Sequence, residues 1–114
     1  MALNSEEKTI DQEIKDYALD NRSFEVLDKM KINHDKKILK LQAVIEDEDW
    51  YLQKQKRKYM QANPALTKEQ ALILANQQLQ GLKDLIVKVT KVSSLVDQEK
   101  TFRTDKKVTR EVID

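Results

Sequence analysis

The sequence predicts an all-α protein built on a long antiparallel helical hairpin of coiled-coil type. Apolar residues recur at coiled-coil spacing from Phe24 to Tyr59 and again from Leu72 to Val96. The one proline of the chain, Pro64, lies between these two seams and ends the first helix. Charged residues make up 36% of the chain and aromatic residues 5%, a composition typical of long solvated helices. These observations exclude an all-β fold.

The two seams fall in register if the chain reverses within residues 63–67. The choice of turn does not impose this agreement, and it therefore favours a hairpin over one continuous helix. The opposed pairs are Tyr59 with Leu72, Leu52 with Leu79, and Ile45 with Ile86. Polar residues interrupt the first seam, and we interpret them as devices that fix alignment before we interpret them as ligands. They include His34, Glu48 and Gln55.

A short first helix is expected over about residues 5–20. Asn4 is its candidate N-cap, and Glu7 stands three residues later, which is the spacing of a capping box. So short a helix is not stable alone in water, so we expect it to pack at the open end of the hairpin. Its narrow apolar stripe consists of Ile10, Ile14, Tyr17 and Ala18.

The second helix is expected over about residues 24–61 and the third over about residues 67–100. Thr67 and Gln70 form the next candidate capping box. Gly81 costs the third helix roughly 1 kcal/mol relative to alanine, unless another helix approaches closely there. Residues 1–100 then form a single helical domain, and residues 101–114 form a basic, flexible tail.

Apolar side chains on the outside of this hairpin predict a protein interface. The third helix carries a second apolar stripe, part of which the first helix would cover in a three-helix bundle at the open end. The distal half would be only two helices thick, and Trp50 falls on its outer face. The alternative is that Trp50 packs within its own chain. The predicted interface residues are Trp50, Leu74, Leu85, Val92 and Leu95.

Blocks of opposite charge follow each other on the second helix. Residues 46–49 are four consecutive acids, which point in different directions on a helix and form no metal cage. The basic residues Lys54, Lys56, Arg57 and Lys58 lie among aromatic residues, a mixture that nucleic-acid-binding proteins use. The adjacent acids and the net charge of +1 weaken that interpretation. The same segregation of charge could order two subunits.

The inventory of reactive residues does not favour an enzyme. The chain has no cysteine and one histidine, and it lacks a Gly-rich phosphate loop and the Glu-x-x-His pairs of di-metal bundles. We expect no catalytic residue, metal or cofactor. His34 is either a polar register-setter on the seam or a half-exposed residue near the open end. No apolar run approaches the ~20 residues of a membrane span, and we expect a cytoplasmic location without a membrane partner.

Together these features predict a non-catalytic protein-interaction module: an adaptor, an assembly factor, a small chaperone or a regulator. Its partner would be a second copy, in a homodimer, or another protein. The alternative is a nucleic-acid-binding accessory protein that uses residues 54–58 and the basic tail.

Overall fold

A computed structural model describes residues 9–113, and the regular structure in that range is helical. Helix α4 packs against α2 and α3, which confirms the predicted hairpin with its short N-terminal helix. The proposed cap at Asn4 and Glu7 lies outside the described residues. The helices are α1 (Ile10–Asp16), α2 (Phe24–Glu46), α3 (Glu48–Ala62) and α4 (Lys68–Thr104).

The start of α4 has the predicted capping box. The backbone N–H of Gln70 donates to Thr67 Oγ1 at 3.1 Å, and the backbone N–H of Thr67 donates to Gln70 Oε1 at 3.0 Å. Each side chain thus satisfies a backbone donor that the first helical turn leaves free. Asn63 ends α3 in an extended conformation just before Pro64.

Helix α1 begins at Ile10, and a residue with left-handed backbone conformation follows its C-cap, Tyr17. Thr9 is its N-cap, because Thr9 Oγ1 accepts a hydrogen bond from the backbone N–H of Gln12 at 3.1 Å. At its other end Ala18 has a φ of 57°, and the N–H of Leu19 donates to the carbonyl O of Ile14 at 3.0 Å. This is the pattern of a Schellman cap, which usually carries glycine at the left-handed position.

The prediction of one unbroken helix over residues 24–61 is wrong at Asp47. This residue leaves the helical region, with φ −111° and ψ 56°, and its carbonyl accepts the first hydrogen bond of α3, from Tyr51. Acidic side chains are unfavourable at a helix C-terminus and favourable at an N-terminus. A break here puts Glu48 and Asp49 in the first turn of a new helix.

Contacts within the chain divide it into two compact units. Unit 1 consists of Met1–Lys36 and Thr90–Asp114, and unit 2 is Lys37–Val89. Helices α2 and α4 each contribute residues to both units.

Unit 1 has a core to which α1, α2 and α4 all contribute. Met30 and Phe102 pack against the buried cluster at its centre. The participation of α1 explains how so short a helix is stabilised. The cluster consists of Ile14, Leu19, Leu27, Val92, Leu95 and Val96.

The buried residues of unit 2 lie mostly on the two predicted seams. Glu48 and Lys83 lie between the predicted pairs Ile45–Ile86 and Leu52–Leu79, and their charged atoms approach to 3.4 Å across α3 and α4. This ion pair fits the predicted register. The buried residues on the seams are Leu41, Ala75, Leu79 and Val89, and the further buried residues are Tyr51 and Ala71.

The segment after α4 is non-helical but attached to unit 1. Helix α4 runs to Thr104, four residues beyond the expected end at residue 100. The N–H of Val108 donates to the carbonyl O of Phe102, and that of Ile113 donates to the carbonyl O of Asn21, both at 2.8 Å. The second bond fastens the segment to the loop between α1 and α2.

Candidate protein-interaction surface

The most exposed large aromatic side chain of unit 2 is Trp50, in the first half of α3. Its side chain is on the outside, as predicted, and 55% of the residue's surface remains accessible. The Nζ atom of Lys54, one turn later, lies 4.8 Å from the centroid of the indole ring. At this distance a cation–π attraction holds the two side chains together.

Two more cations share this side of α3. Arg57 and Lys58 follow Trp50 by seven and eight residues, which places them on the same helical face. Both are exposed, and neither forms an ion pair within residues 9–113. We call the surface formed by Trp50, Lys54, Arg57 and Lys58 the α3 outer face.

The fourth basic residue of the predicted group lies elsewhere. Lys56 follows Trp50 by six residues, a spacing that puts it on the other side of the helix. Its side chain is half-buried. Of the four cations proposed for nucleic-acid contact, three therefore lie on the helical face of Trp50, and Lys54 contacts its ring.

An acidic end precedes the α3 outer face. Glu46, Asp47 and Asp49 are exposed, and they too form no ion pair in the described part of the chain. Glu48 differs, because it is half-buried and pairs with Lys83. Exposed acids thus stand at the break before α3 and in its first turn, and exposed cations follow Trp50 along α3.

Leu74 and Leu85 are half-buried on α4 within unit 2. They lie eleven residues apart on one side of the helix, with Gly81 between them. Apart from the adjacent residues and the nearby backbone of α4 itself, no described atom comes within 4 Å of the position that a Cβ at Gly81 would occupy. The close helix approach that would explain this glycine is therefore absent among the described residues.

Val92 and Leu95, the other predicted interface residues, are core residues of unit 1. Their exposures are 8% and 4%, respectively, because the unit 1 cluster that includes Ile14 covers them. The first helix was expected to cover part of this stripe, and Ile14 of α1 shares the buried cluster with these two residues.

Sequence reasoning missed a buried ionic cluster in unit 1. Glu99 has no exposed surface and accepts hydrogen bonds from Arg103 Nε at 2.6 Å and Arg110 Nε at 3.0 Å. Arg110 also donates to Asp11 at 2.9 Å, and Arg103 donates to the carbonyl O atoms of Leu19 and of the next residue. The four-residue spacing of Glu99 and Arg103 was a sequence signal for their pairing.

These hydrogen bonds shift the pKa values of Asp11 and Arg110. The hydrogen bond from Arg110 lowers the pKa of the Asp11 carboxyl below its ordinary value. The hydrogen bond to Glu99 raises the pKa of the Arg110 guanidinium above its ordinary value. Both shifts favour the charged forms of Asp11 and Arg110.

A second polar network joins α2 and α4 in unit 1. Ser93 Oγ donates to Asp35 Oδ1 at 2.8 Å and accepts from Lys31 Nζ at 2.8 Å. Lys31 Nζ also lies 2.9 Å from Asp97 Oδ2, which raises the pKa of Lys31. The bond from Ser93 lowers the pKa of Asp35. Both networks are fully paired and offer structural support.

His34 is half-exposed, which is the second of the two alternatives given for it above. Its Nδ1 lies 2.7 Å from the carbonyl O of Met30 on the same helix, and since a carbonyl only accepts, Nδ1 is the donor. The side chain therefore bonds within its own helix.

The described residues contain neither a cavity nor a cluster of metal-ligating side chains. Within the same range, every helix is too short or too polar to cross a lipid bilayer. Comparisons of the chain with protein-family models, with curated proteins and with solved structures gave no match.

Proposed function

We propose that this protein is a non-catalytic interaction module that associates with another protein chain through unit 2. Adaptors, assembly factors, small chaperones and regulators share this mode of action. The observation that carries the proposal is the exposure of Trp50 on the α3 outer face.

Exposed tryptophan has a physical cost that association would remove. An indole is a large apolar surface with one donor, and its burial stabilises protein interfaces more than that of most side chains. Leu74 and Leu85 are further apolar side chains of unit 2 that its own helices cover only in part.

Replacement of Trp50 by alanine tests the proposal. We expect Trp50→Ala to weaken association at least about tenfold, the effect of an interface anchor, while helix content stays unchanged. Association is measured by sedimentation for self-association and by retention of proteins from the native source on the immobilised chain. Ile73→Ala is the matched control, because Ile73 is equally exposed at 58% but lies on α4. Equal binding by wild type, variant and control would contradict the proposal.

A nucleic-acid-binding accessory protein is the second candidate function. It is favoured by the exposed cations Lys54, Arg57 and Lys58 around the exposed ring of Trp50. Binding of random single- and double-stranded DNA is then expected to fall steeply with salt because of counterion release. Replacing Lys54, Lys56, Arg57 and Lys58 together by glutamine would abolish that binding. An affinity indifferent to these four changes would exclude this candidate.

A further inference from the structure

The α3 outer face and the acidic end that precedes it are complementary to themselves. We infer that a second copy of this chain docks here, with the two α3 helices antiparallel. This inference rests on the proposed function, and it specifies the partner and the orientation.

The charges along α3 have the arrangement that such a contact needs. The acidic end, with Glu46 and Asp47, precedes Trp50, and the basic pair Arg57 and Lys58 follows it. Glu46 ends α2 and Asp47 caps the start of α3. Asp47 and Arg57 are separated by about ten residues, or roughly 15 Å along the α3 axis. This separation exceeds the Debye length of about 8 Å at physiological salt, so neither end neutralises the other within one chain.

Antiparallel pairing brings opposite charges together at both ends. A two-fold axis near residue 52 places the acidic end of each copy against Arg57 and Lys58 of the other copy. Because such an interface is isologous, the favourable contact occurs twice. Parallel pairing would instead oppose acid to acid and base to base, which is unfavourable.

The centre of this contact is apolar and cationic. Trp50 and Lys54 are one turn apart on either side of the axis, so the indole of each copy faces Lys54 of the other. The Lys54 side chain already lies over its own indole at 4.8 Å. The methylene chain of a lysine covers apolar surface while its ammonium group stays in water.

The size of the surface indicates a weak, reversible dimer. Helix α3 has 15 residues, which corresponds to a length of roughly 22 Å. A contact along one helix of this length lies at the lower end of the range for specific interfaces. We therefore expect dimerisation that depends on protein concentration and weakens with added salt.

Charge reversal at one end tests whether the charged ends hold the dimer together. Glu46→Lys with Asp47→Lys gives a variant with two basic ends, and Arg57→Glu with Lys58→Glu gives one with two acidic ends. Each variant alone is expected to dimerise at least about tenfold more weakly than wild type in sedimentation equilibrium. An equimolar mixture of the two is expected to recover the dimer, because opposite ends then meet.

A variant that carries all four reversals separates antiparallel pairing from the other arrangements. It is expected to dimerise like wild type but not to form mixed dimers with wild type. All substituted positions are exposed, and circular dichroism checks that each variant keeps its helix content.

A wild-type chain that stays monomeric, or dimers that ignore the reversals, would overturn the inference. Neither result affects the proposed function if Trp50→Ala still lowers the retention of a different protein. Loss of that effect as well would remove both.

Discussion

At the scale of single residues, Glu99 is a charged side chain in the interior of unit 1. It is fully buried, and its charge is compensated by the guanidinium groups of Arg103 and Arg110. A buried ion pair contributes little relative to an apolar replacement of the same shape, but removal of one partner leaves an uncompensated charge inside the protein. Glu99 and its two guanidinium partners therefore stabilise unit 1 only while all three groups are present.

We expect Glu99→Gln to destabilise the fold by about 3 to 5 kcal/mol, because Arg103 loses its charged partner and Arg110 keeps only Asp11. Urea unfolding followed by circular dichroism measures the change. Glu25→Gln is the control, since Glu25 pairs with Lys29 at the surface, with side-chain exposures of 80% and 71%. The control is expected to unfold like wild type. Equal midpoints for Glu99→Gln and wild type would show that the charge of Glu99 is dispensable.

The shifted pKa of Asp35 makes the stability of the protein depend on pH. The hydrogen bond from Ser93, supported by Lys31, lowers its pKa below the ordinary 3.8. A carboxyl with a lowered folded-state pKa stabilises the protein above its unfolded-state pKa, and this contribution disappears as the pH falls through the folded-state value. We therefore expect stability to decrease below about pH 4.

The variant Asp35→Asn is expected to lose less stability than wild type between about pH 5 and pH 3. Asp11 still titrates in this variant, because its own pKa is lowered by Arg110, so part of the acid sensitivity remains. Thermal unfolding at a series of pH values measures both curves. Parallel curves would mean that Asp35 titrates alike in the folded and unfolded states.

The residue scale also shows what one sequence can and cannot predict. The capping box of Thr67 and Gln70 was predictable, because both partners lie within one helical turn. The pairing of Arg110 with Glu99 and Asp11 was not, because it depends on the path of the chain after α4 and on α1, which lies 99 residues earlier. The sequence predicted that the first helix covers part of the second stripe, but it also predicted Val92 and Leu95 as interface residues, and the fold was needed to show that both are buried in unit 1.

At the scale of elements, an alanine occupies a position that favours glycine, and a glycine occupies a position that favours alanine. Ala18 has a φ of 57° after α1, where glycine is favoured, and Gly81 lies inside α4 with open space around it. We expect Gly81→Ala to stabilise the protein by roughly 1 kcal/mol and Ala18→Gly by about half as much.

Thermal melts of the two variants and of their combination test this expectation, with additive effects expected because the positions are distant. A Gly81→Ala variant that is more stable as a monomer but associates less tightly would indicate that a partner approaches α4 at this position. Loss of stability at Ala18→Gly would contradict the left-handed assignment.

The non-helical segment after α4 depends on Arg110 for its attachment. Arg110 bridges Glu99 and Asp11, and the backbone bond from Ile113 to Asn21 closes the same contact. We expect Arg110→Ala to accelerate amide hydrogen exchange at Val108 and Ile113, since local opening no longer breaks an ion pair. Amides in the middle of α3 provide the internal control. Unchanged exchange at Ile113 would show that backbone bonds alone hold the segment.

Sequence periodicity predicts where the long helices lie better than it predicts where they break. The seams and Pro64 are enough to predict the hairpin, because long-range pairing repeats the same spacing many times. The break at Asp47 depends on a single residue. The four consecutive acids at 46–49 could have indicated it through the helix dipole, but the continuous seam through Ile45, Glu48 and Leu52 pointed the other way.

At the scale of the whole molecule, the net charge of +1 hides two charged blocks of opposite sign. A chain that is nearly neutral repels its own copies only weakly, so local complementarity decides whether they associate. The blocks could be predicted from the sequence. The fold was needed to show which of their residues are exposed, because Lys56 and Glu48 belong to the same runs but are half-buried.

Trp50 is the only tryptophan of the chain, so its fluorescence reports the state of the α3 outer face. In the monomer the indole is exposed, and its emission is expected at long wavelength with ready quenching by iodide. Association through α3 would move the emission to shorter wavelength and reduce quenching as protein concentration rises, while helix content stays constant. Sedimentation of the same samples provides the independent measure of mass. A dimer whose indole stays fully quenchable would place the contact elsewhere. Other apolar side chains of unit 2 to be tested by substitution are the exposed Leu39, Ile73 and Val87 and the half-buried Leu74 and Leu85.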